Sequence, residues 1–593
     1  MGIFRSIRFS VVVVLLFLAP LSSAAGFPAT EWEELLGGSG DEFSQQIDDT
    51  YFSDGFILTG VSYSDNSGNV TLTNHGQRDI WVVTLNTTGA IQWQRLLGGS
   101  DQDTGASLDR ANFNGYLLAA DTLSSASGDI INTSHGNTDV WIVHMDPSGN
   151  ILQQKLLGGS GTDSNVGFRQ TDDLGFLLVG ATNSNGTGDV MAGNHGGLFD
   201  VWIVRMDGDW NILWQRLLGG SEEDVGWDFA LTRDGGSIIT GRSMSSASGD
   251  VTGTSHGLFD AWIVKLDQAG NIEWQKLLGG DRDDGLRSVA LTDDGGYILA
   301  GYSNSDTIRN PGVLNHGNMD AWVVKLDQAG NVEWQKLLGG DQRDDAEEIL
   351  PTNDGFVLIG CSSSGTSGDI TAVNHGGYSD VWVVKLDKAG NILWQGLMGG
   401  AGNDCGYAIR QTADGGLVFI GNSDSNASGD ITGTSRGGYD FWVVKLTNPS
   451  LYIDILPIGD RQPGEKFTIT TQTNLRTGTN VLVEVICSSL NTTKKSSSGE
   501  FSGVTGTIAV QPSLNDPVNR TAFDLDLSPF APDITECLVR ENASSPAVSD
   551  TEPFTVGLVA GPTTTAAGPD PFVVAVGILC GYWIIRSIVP KRK

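Results

Sequence analysis

The stretch DAWVVKLDQAGNVEWQKLLGG, residues 320–340, reads as two short apolar strands, Ala321 to Asp327 and Val332 to Leu338, joined by the tight turn Gln328-Ala329-Gly330-Asn331. Just upstream, Ser288 to Thr292 and Tyr297 to Ser303 flank Asp293-Asp294-Gly295-Gly296, another turn sequence, because glycine accepts positive φ. Two hairpins with tight turns on one side and a longer polar connection on the other make a four-stranded antiparallel unit. Apolar residues recur with a period near two and glycine punctuates each strand pair, which excludes helix.

The unit recurs seven times between Trp32 and Leu446, and its period of about 60 residues suits one propeller blade per copy. A Gly-Gly closes each copy at Gly37, Gly98, Gly158, Gly219, Gly279, Gly339 and Gly399. An Asp-x-Trp element opens each second hairpin at Asp79, Asp139, Asp200, Asp260, Asp320, Asp380 and Asp440. The seventh copy stops at Trp442-Val443-Val444-Lys445-Leu446 without its last strand, whereas the chain begins with an orphan strand, Trp32-Glu33-Glu34-Leu35-Leu36. A ring must hide its open edge, so the first strand is expected to complete the last blade. The predicted fold is all-β: a seven-bladed propeller over 30–447, followed by a small β-sandwich and a C-terminal transmembrane helix.

Both chain ends carry targeting signals. Arg5 and Arg8, the apolar run Phe9 to Leu18 and the small residues Ser22 to Ala25 read as a signal peptide over 1–25. A Pro/Thr/Ala/Gly linker, 559–571, precedes an apolar segment, 572–589, which at about 1.5 Å per residue nearly crosses a hydrocarbon core of about 30 Å. The basic tail 590–593 belongs on the cytoplasmic side. The expected localisation is therefore the outer face of the cell membrane, held by a single-pass anchor. Sequons at Asn69, Asn86, Asn132, Asn185, Asn426, Asn491, Asn519 and Asn542 suit that compartment. With 35 basic against 70 acidic residues and a net charge of -35, nucleic acid is excluded as a partner.

Three repeated positions carry candidate chemistry. His75, His135, His195, His256, His316 and His375 share one position, with Arg436 in the seventh copy. They stand four or five residues before the Asp of Asp-x-Trp, an arrangement that resembles the His, Asp and Trp network bracing WD40 blades. Sevenfold spacing separates these histidines, so they cannot converge on a transition metal. The loop aspartates Asp129, Asp189, Asp250, Asp369 and Asp430, most within Ser-Gly-Asp, leave two readings open: turn capping, or a calcium site built on carboxylate and hydroxyl oxygens. Otherwise no cofactor is expected. A further acid follows each Gly-Gly, at Glu42, Asp103, Asp163, Asp224, Asp284, Asp344 and Asp404; these are expected to ring one face as the binding face. No singular cluster of acid, base and nucleophile stands out, so catalysis is not expected. An asymmetric pocket with close carboxylates would reverse that expectation.

Over 451–558 the repeat vanishes, and segments such as Lys466 to Thr473, Asn480 to Cys487 and Thr535 to Arg540 read as strands of the sandwich. Cys487 and Cys537 lie on two of them, in position for an internal disulfide; Cys361 and Cys405 lie in neighbouring blades, in position for an interblade one. The units Leu-Leu-Gly-Gly, Asp-Gly-Gly-Tyr-Ile-Leu-Ala-Gly and Asp-x-Trp-Val-Val-Lys-Leu-Asp resemble the secreted propeller repeats of methanogenic-archaeal surface proteins. The segment from Gly464 to Gly506 is similar to the Ig-like domain that precedes their C-terminal anchor. The resemblance implies a surface-displayed, non-enzymatic binding, adhesion or scaffolding protein whose partner is a cell-wall or surface glycan or a surface protein. The alternatives are a structural envelope component and a glycan-active hydrolase.

Overall fold

The computed structural model describes residues 27–448, except 52–54, 112–114 and 309–312, and, within 453–555, chiefly the strands of a second unit. The two units divide between Leu451 and Tyr452. The first is a seven-bladed β-propeller. Blade one consists of Glu42–Asp49, Phe56–Ser62, Asp79–Leu85 and Ile91–Leu97, paired antiparallel in that order. Blades two to six repeat it, with inner strands Asp103–Arg110, Asp163–Gln170, Asp224–Leu231, Asp284–Leu291 and Asp344–Thr352. Blade seven is built from Asp404–Gln411, Leu417–Ser423, Asp440–Leu446 and, as its outer strand, Thr30–Leu36. Trp32 lies opposite Lys445 and Leu36 opposite Phe441, so the orphan strand closes the ring.

The outer strands of blades one to six carry a glutamine that accepts a hydrogen bond from the indole of the Asp-x-Trp tryptophan, as Gln94 does from Trp81 at 3.1 Å, and a tryptophan precedes that glutamine except in blade two, where Gln153 stands. In the last blade Glu33 takes that role for Trp442 at 2.6 Å. Trp81, Trp141, Trp202, Trp322, Trp382 and Trp442 are fully buried, and each can contribute about 4 to 6 kcal/mol of apolar burial as an upper bound. The outer tryptophan packs on the next blade: a Cβ on Gly149, whose φ is +79°, would lie 2.7 Å from the Trp93 ring. Around the axis, side chains of one blade accept backbone N–H groups of the next. Examples are Asp228 from Val289 at 2.9 Å, Glu348 from Ile409 at 2.7 Å and Asn422 from Ser44 at 2.6 Å. A disulfide joins Cys361 of blade six to Cys405 of blade seven, with Cα atoms 4.8 Å apart.

The second unit has two antiparallel sheets. One is ordered Ile453–Ile455, Lys466–Thr473, Asn519–Asp526; the other is ordered Ser502–Ala509, Asn480–Ser489, Ile534–Ser544, Ala547–Thr555. Cys487 stands in register with Cys537.

The transmembrane part of the expected fold needs correction. Among the described residues no helix is long and apolar enough to cross a membrane. The segment 572–589 lies outside the described residues, as do 1–25, 559–571 and 590–593. The anchor is therefore withdrawn, together with the membrane-face localisation and the partners inferred from it.

Closure through Glu33 and Trp442 has a measurable cost. Glu33→Ala leaves a buried indole N–H unpaired and should lower unfolding free energy by about 1 to 2 kcal/mol, while Trp442→Ala should lower it by about 3 to 5 kcal/mol. Urea midpoints of the full chain check both.

Candidate functional site

The repeated acids are structural in placement. Glu42, Asp103, Asp163, Asp224, Asp284, Asp344 and Asp404 are all completely buried, so they cannot form an exposed binding face. Each begins an inner strand directly beneath a Gly-Gly turn and supplies the acceptors that turn lacks. Asp103 Oδ2 accepts the Gly99 N–H at 2.7 Å and the Ser124 hydroxyl at 3.1 Å, and Oδ1 accepts the Thr122 hydroxyl. A Cβ on Gly98 would lie 2.5 Å from Asp103 and 2.7 Å from Asp79, which is why the motif needs glycine there.

Each Asp-x-Trp aspartate is likewise buried. Asp79 Oδ2 accepts the His75 backbone N–H at 2.8 Å and pairs with His75 Nδ1 at 2.7 Å. His75 Nε2 then reaches to 4.0 Å from Asp129 of the next blade, and the same bridge recurs from His135 to Asp189, His195 to Asp250, His316 to Asp369 and His375 to Asp430, at 3.5 to 3.8 Å. His256 makes the same intrablade contact with Asp260 at 3.2 Å, and Arg436 donates to Asp440 in the last blade. Asp129, Asp189, Asp250, Asp369 and Asp430 are thus spread one to a blade, each occupied by an imidazole and by the N–H of a Gly-Gly turn. Nitrogen donors thus surround each of these carboxylates where calcium needs six to eight oxygens, and the calcium reading falls.

Each Asp-x-Trp Oδ1 is buried without a hydrogen-bond partner, and it faces the acid of the following inner strand across the first Gly of the Gly-Gly turn. The blade junctions therefore hold buried carboxylate pairs. Burial pushes Asp103 up to about 6 and also raises Asp79, Asp163, Asp224, Asp284, Asp344, Asp404 and Glu42.

Against this symmetric frame, one position differs in every blade. All seven inner strands carry a β-bulge, at Gln45, Gly105/Ala106, Val166, Trp227, Arg287, Glu347 and Tyr407. A bulge re-aims a side chain without breaking the flanking ladder. Except in blade two, these bulge residues line one cavity of about 510 Å³, and those of blades four to seven bring Trp, Arg, Glu and Tyr together. The Arg287 guanidinium stands 5.0 Å from the Tyr302 ring and 5.9 Å from Trp227. Its Nη1 contacts Asp345 Oδ2 at 2.9 Å and also Glu347 Oε1; Arg343 holds Asp345 Oδ2 from the other side at 2.9 Å. Asp345 Oδ1 and Ser363 Oγ are buried without partners.

An adjoining cleft of about 380 Å³ is lined by Asp345, Glu347, Ser363 and the aromatic rings of Phe43, Tyr378, Tyr407 and Tyr439. Tyr378 is 63% exposed at its rim. Burial pushes Glu347 up to about 7 and Tyr407 up to about 12. Two expectations are corrected here. Asp345 and Glu347 share one guanidinium nitrogen inside an asymmetric pocket, so the exclusion of catalysis falls. Glu347, Cys361 and Cys405 place one donor atom each within 4.8 Å of one another, so neither an absent cofactor nor calcium describes the donor chemistry: sulfur suits softer metals.

No family model matches the chain, and the methanogen-type membership implied by the repeats is withdrawn. The chain is 23% identical over 330 residues to the regulatory protein FlaEY of Caulobacter vibrioides; the match covers 51% of this chain and 34% of that protein. Among solved structures, cobalt-substituted Synechocystis ACO matches at a TM-score of 0.30 and 12% identity, over 63% of this chain and 97% of that one. A Bacteroides vulgatus member of the DUF4221 family matches at 0.29 and 9%, over 71% and 99%. These likenesses carry no argument about chemistry.

The buried acid pairs set a pH dependence. A pKa raised on folding contributes stability that is present below the unfolded value and lost as pH rises through the folded one. The melting temperature should therefore be higher near pH 5 than near pH 8, and Asp103→Asn should shrink the difference. Calorimetry at the two pH values checks this.

Proposed function

We propose that the protein is a binding propeller whose specific seat is the cleft of blades six, seven and one, and that its ligand is a small, uncharged, hydroxyl-rich ring compound. The observation that carries this reading is the break in pseudo-symmetry at the bulge position. There the frame stops repeating, and aromatic faces gather beside buried, unpartnered acceptors. Aromatic rings stack on the apolar face of such a ring compound, while the side-chain amides of Asn403 and Asn422 in the same wall offer hydrogen-bonding groups to its hydroxyls. Arg287 pairs with Asp345 and Glu347, and Arg343 with Asp345, so the charged groups of the seat already have partners and an uncharged ligand displaces none of them. This reading rests on the cleft alone and owes nothing to the acidic ring or to a membrane anchor.

The shared guanidinium favours a second reading, in which the ligand's glycosidic bond is cleaved with Glu347 as proton donor. A carboxyl kept uncharged to about pH 7 beside a carboxylate held by two arginines has the division of labour such chemistry needs.

A sugar array followed by calorimetry on the full chain tests the seat. Tyr378→Ala, at an exposed position that leaves the core intact, should weaken a sugar bound by the wild type by about tenfold or more. Unchanged affinity would place the ligand elsewhere. Release of reducing ends from the same sugar by the wild type, abolished in Glu347→Gln, would establish the second reading.

A further inference from the structure

The wall of this cleft contains a group of side chains whose chemistry changes with oxidation state. Cys361 is the last residue but one of the second strand of blade six, Cys405 follows the first residue of the inner strand of blade seven, and Glu347 occupies the bulge of the inner strand of blade six. Their donor atoms lie within 4.8 Å of one another, and all three residues line the 380 Å³ cleft. We propose that Glu347, Cys361 and Cys405 form a redox-gated site for a thiophilic divalent cation of the zinc class, closed when the two sulfurs are bonded to each other and open when they are reduced. The proposal is independent of which ligand the cleft takes.

The geometry suits a tetrahedral ion. With metal–sulfur bonds of about 2.3 Å, two thiolate ligands stand about 3.8 Å apart, a separation the pair reaches once the S–S bond is broken and the sulfurs relax to van der Waals contact. Glu347 supplies an oxygen donor, and the cleft supplies water for the fourth position. Three protein ligands with one open position is the arrangement of reactive rather than purely structural zinc sites.

Charge also balances. A dithiol reductant gives two hydrogens to the sulfurs and becomes a disulfide itself, leaving two neutral thiols. The dication then displaces the two thiol protons to solvent, so the net charge of the cluster with Arg287, Arg343, Asp345 and Glu347 does not change. The arginines that hold Asp345 and Glu347 therefore need not leave. In the oxidised chain neither sulfur is a thiolate, and Glu347 alone cannot hold the ion.

Cobalt(II) titration of the full chain tests this, because thiolate ligation gives a sulfur-to-cobalt charge-transfer band and tetrahedral geometry gives intense visible bands. The reductant is a water-soluble phosphine, which takes oxygen from water as the S–S bond breaks and two S–H bonds form. The reduced chain should bind cobalt with both bands, and the oxidised chain should show neither. In the reduced state Cys405→Ser should weaken binding and halve the charge-transfer intensity, while Glu347→Gln should keep that band and weaken binding by about tenfold or more. Absence of the bands in reduced wild type overturns the proposal. So does their persistence in the double variant Cys361→Ser/Cys405→Ser, which would place the metal on Cys487, Cys537 or Cys580. Should the serine variants fail to fold, alkylation of reduced wild type decides: bound cobalt should slow labelling of Cys361 and Cys405 by about tenfold or more, and equal labelling rates with and without cobalt overturn the site.

Discussion

A ring of sheets is stable only if no blade is left with an unpaired edge, and here one strand meets that condition from the opposite end of the domain. Thr30–Leu36 pairs with Asp440–Leu446, and Glu33 supplies the acceptor that a glutamine supplies in the other six blades. This contact joins residues some four hundred positions apart and converts seven local units into a closed ring. The interblade hydrogen bonds around the axis and the Cys361–Cys405 disulfide then hold a ring that closure has already defined.

Closure also divides the labour among the polar residues. Tight Gly-Gly turns at the blade junctions leave backbone donors without partners, and a buried donor without an acceptor is costly. The repeated aspartates and the glutamate answer that need, and the histidines tie the aspartates of neighbouring blades together, which engages all of them in the frame. Only a position that the frame does not require can vary, and the inner-strand bulge is such a position. Its side chain is turned aside from the ladder, so Gln, Ala, Val, Trp, Arg, Glu and Tyr are all tolerated there, and specificity can be built without cost to closure.

The same distinction explains what could be read from sequence. Blade number, strand pairing and the closing strand followed from period and from the mismatch between first and last units, because hydrogen-bond closure leaves no alternative register for Trp32 to Leu36. The acids after Gly-Gly were misjudged because charge alone suggests exposure; only the fold shows that Asp103 lies under its turn with three donors converging on it. The candidate cleft has a signal in the sequence that the repeat obscures. Seven residues after the second glycine of each unit the otherwise regular repeat changes identity every time, from Gln45 to Tyr407. A bulge sets two residues against one on the partner strand, a pairing that sequence alone does not show, so this variability looks like a tolerant surface position until the strands are paired. Cys361 and Cys405 were recognised as neighbours, but their proximity to Glu347 arises only when two blades meet.

The most direct test of closure is to remove residues 27–36 and compare thermal melting and molecular mass in solution with those of the intact chain. The account predicts that the shortened chain melts at a markedly lower temperature and self-associates through the freed edge of Asp440–Leu446, with both defects reduced by adding a peptide of the sequence Thr30–Leu36. A shortened chain that stays monomeric and melts with the intact protein would contradict it.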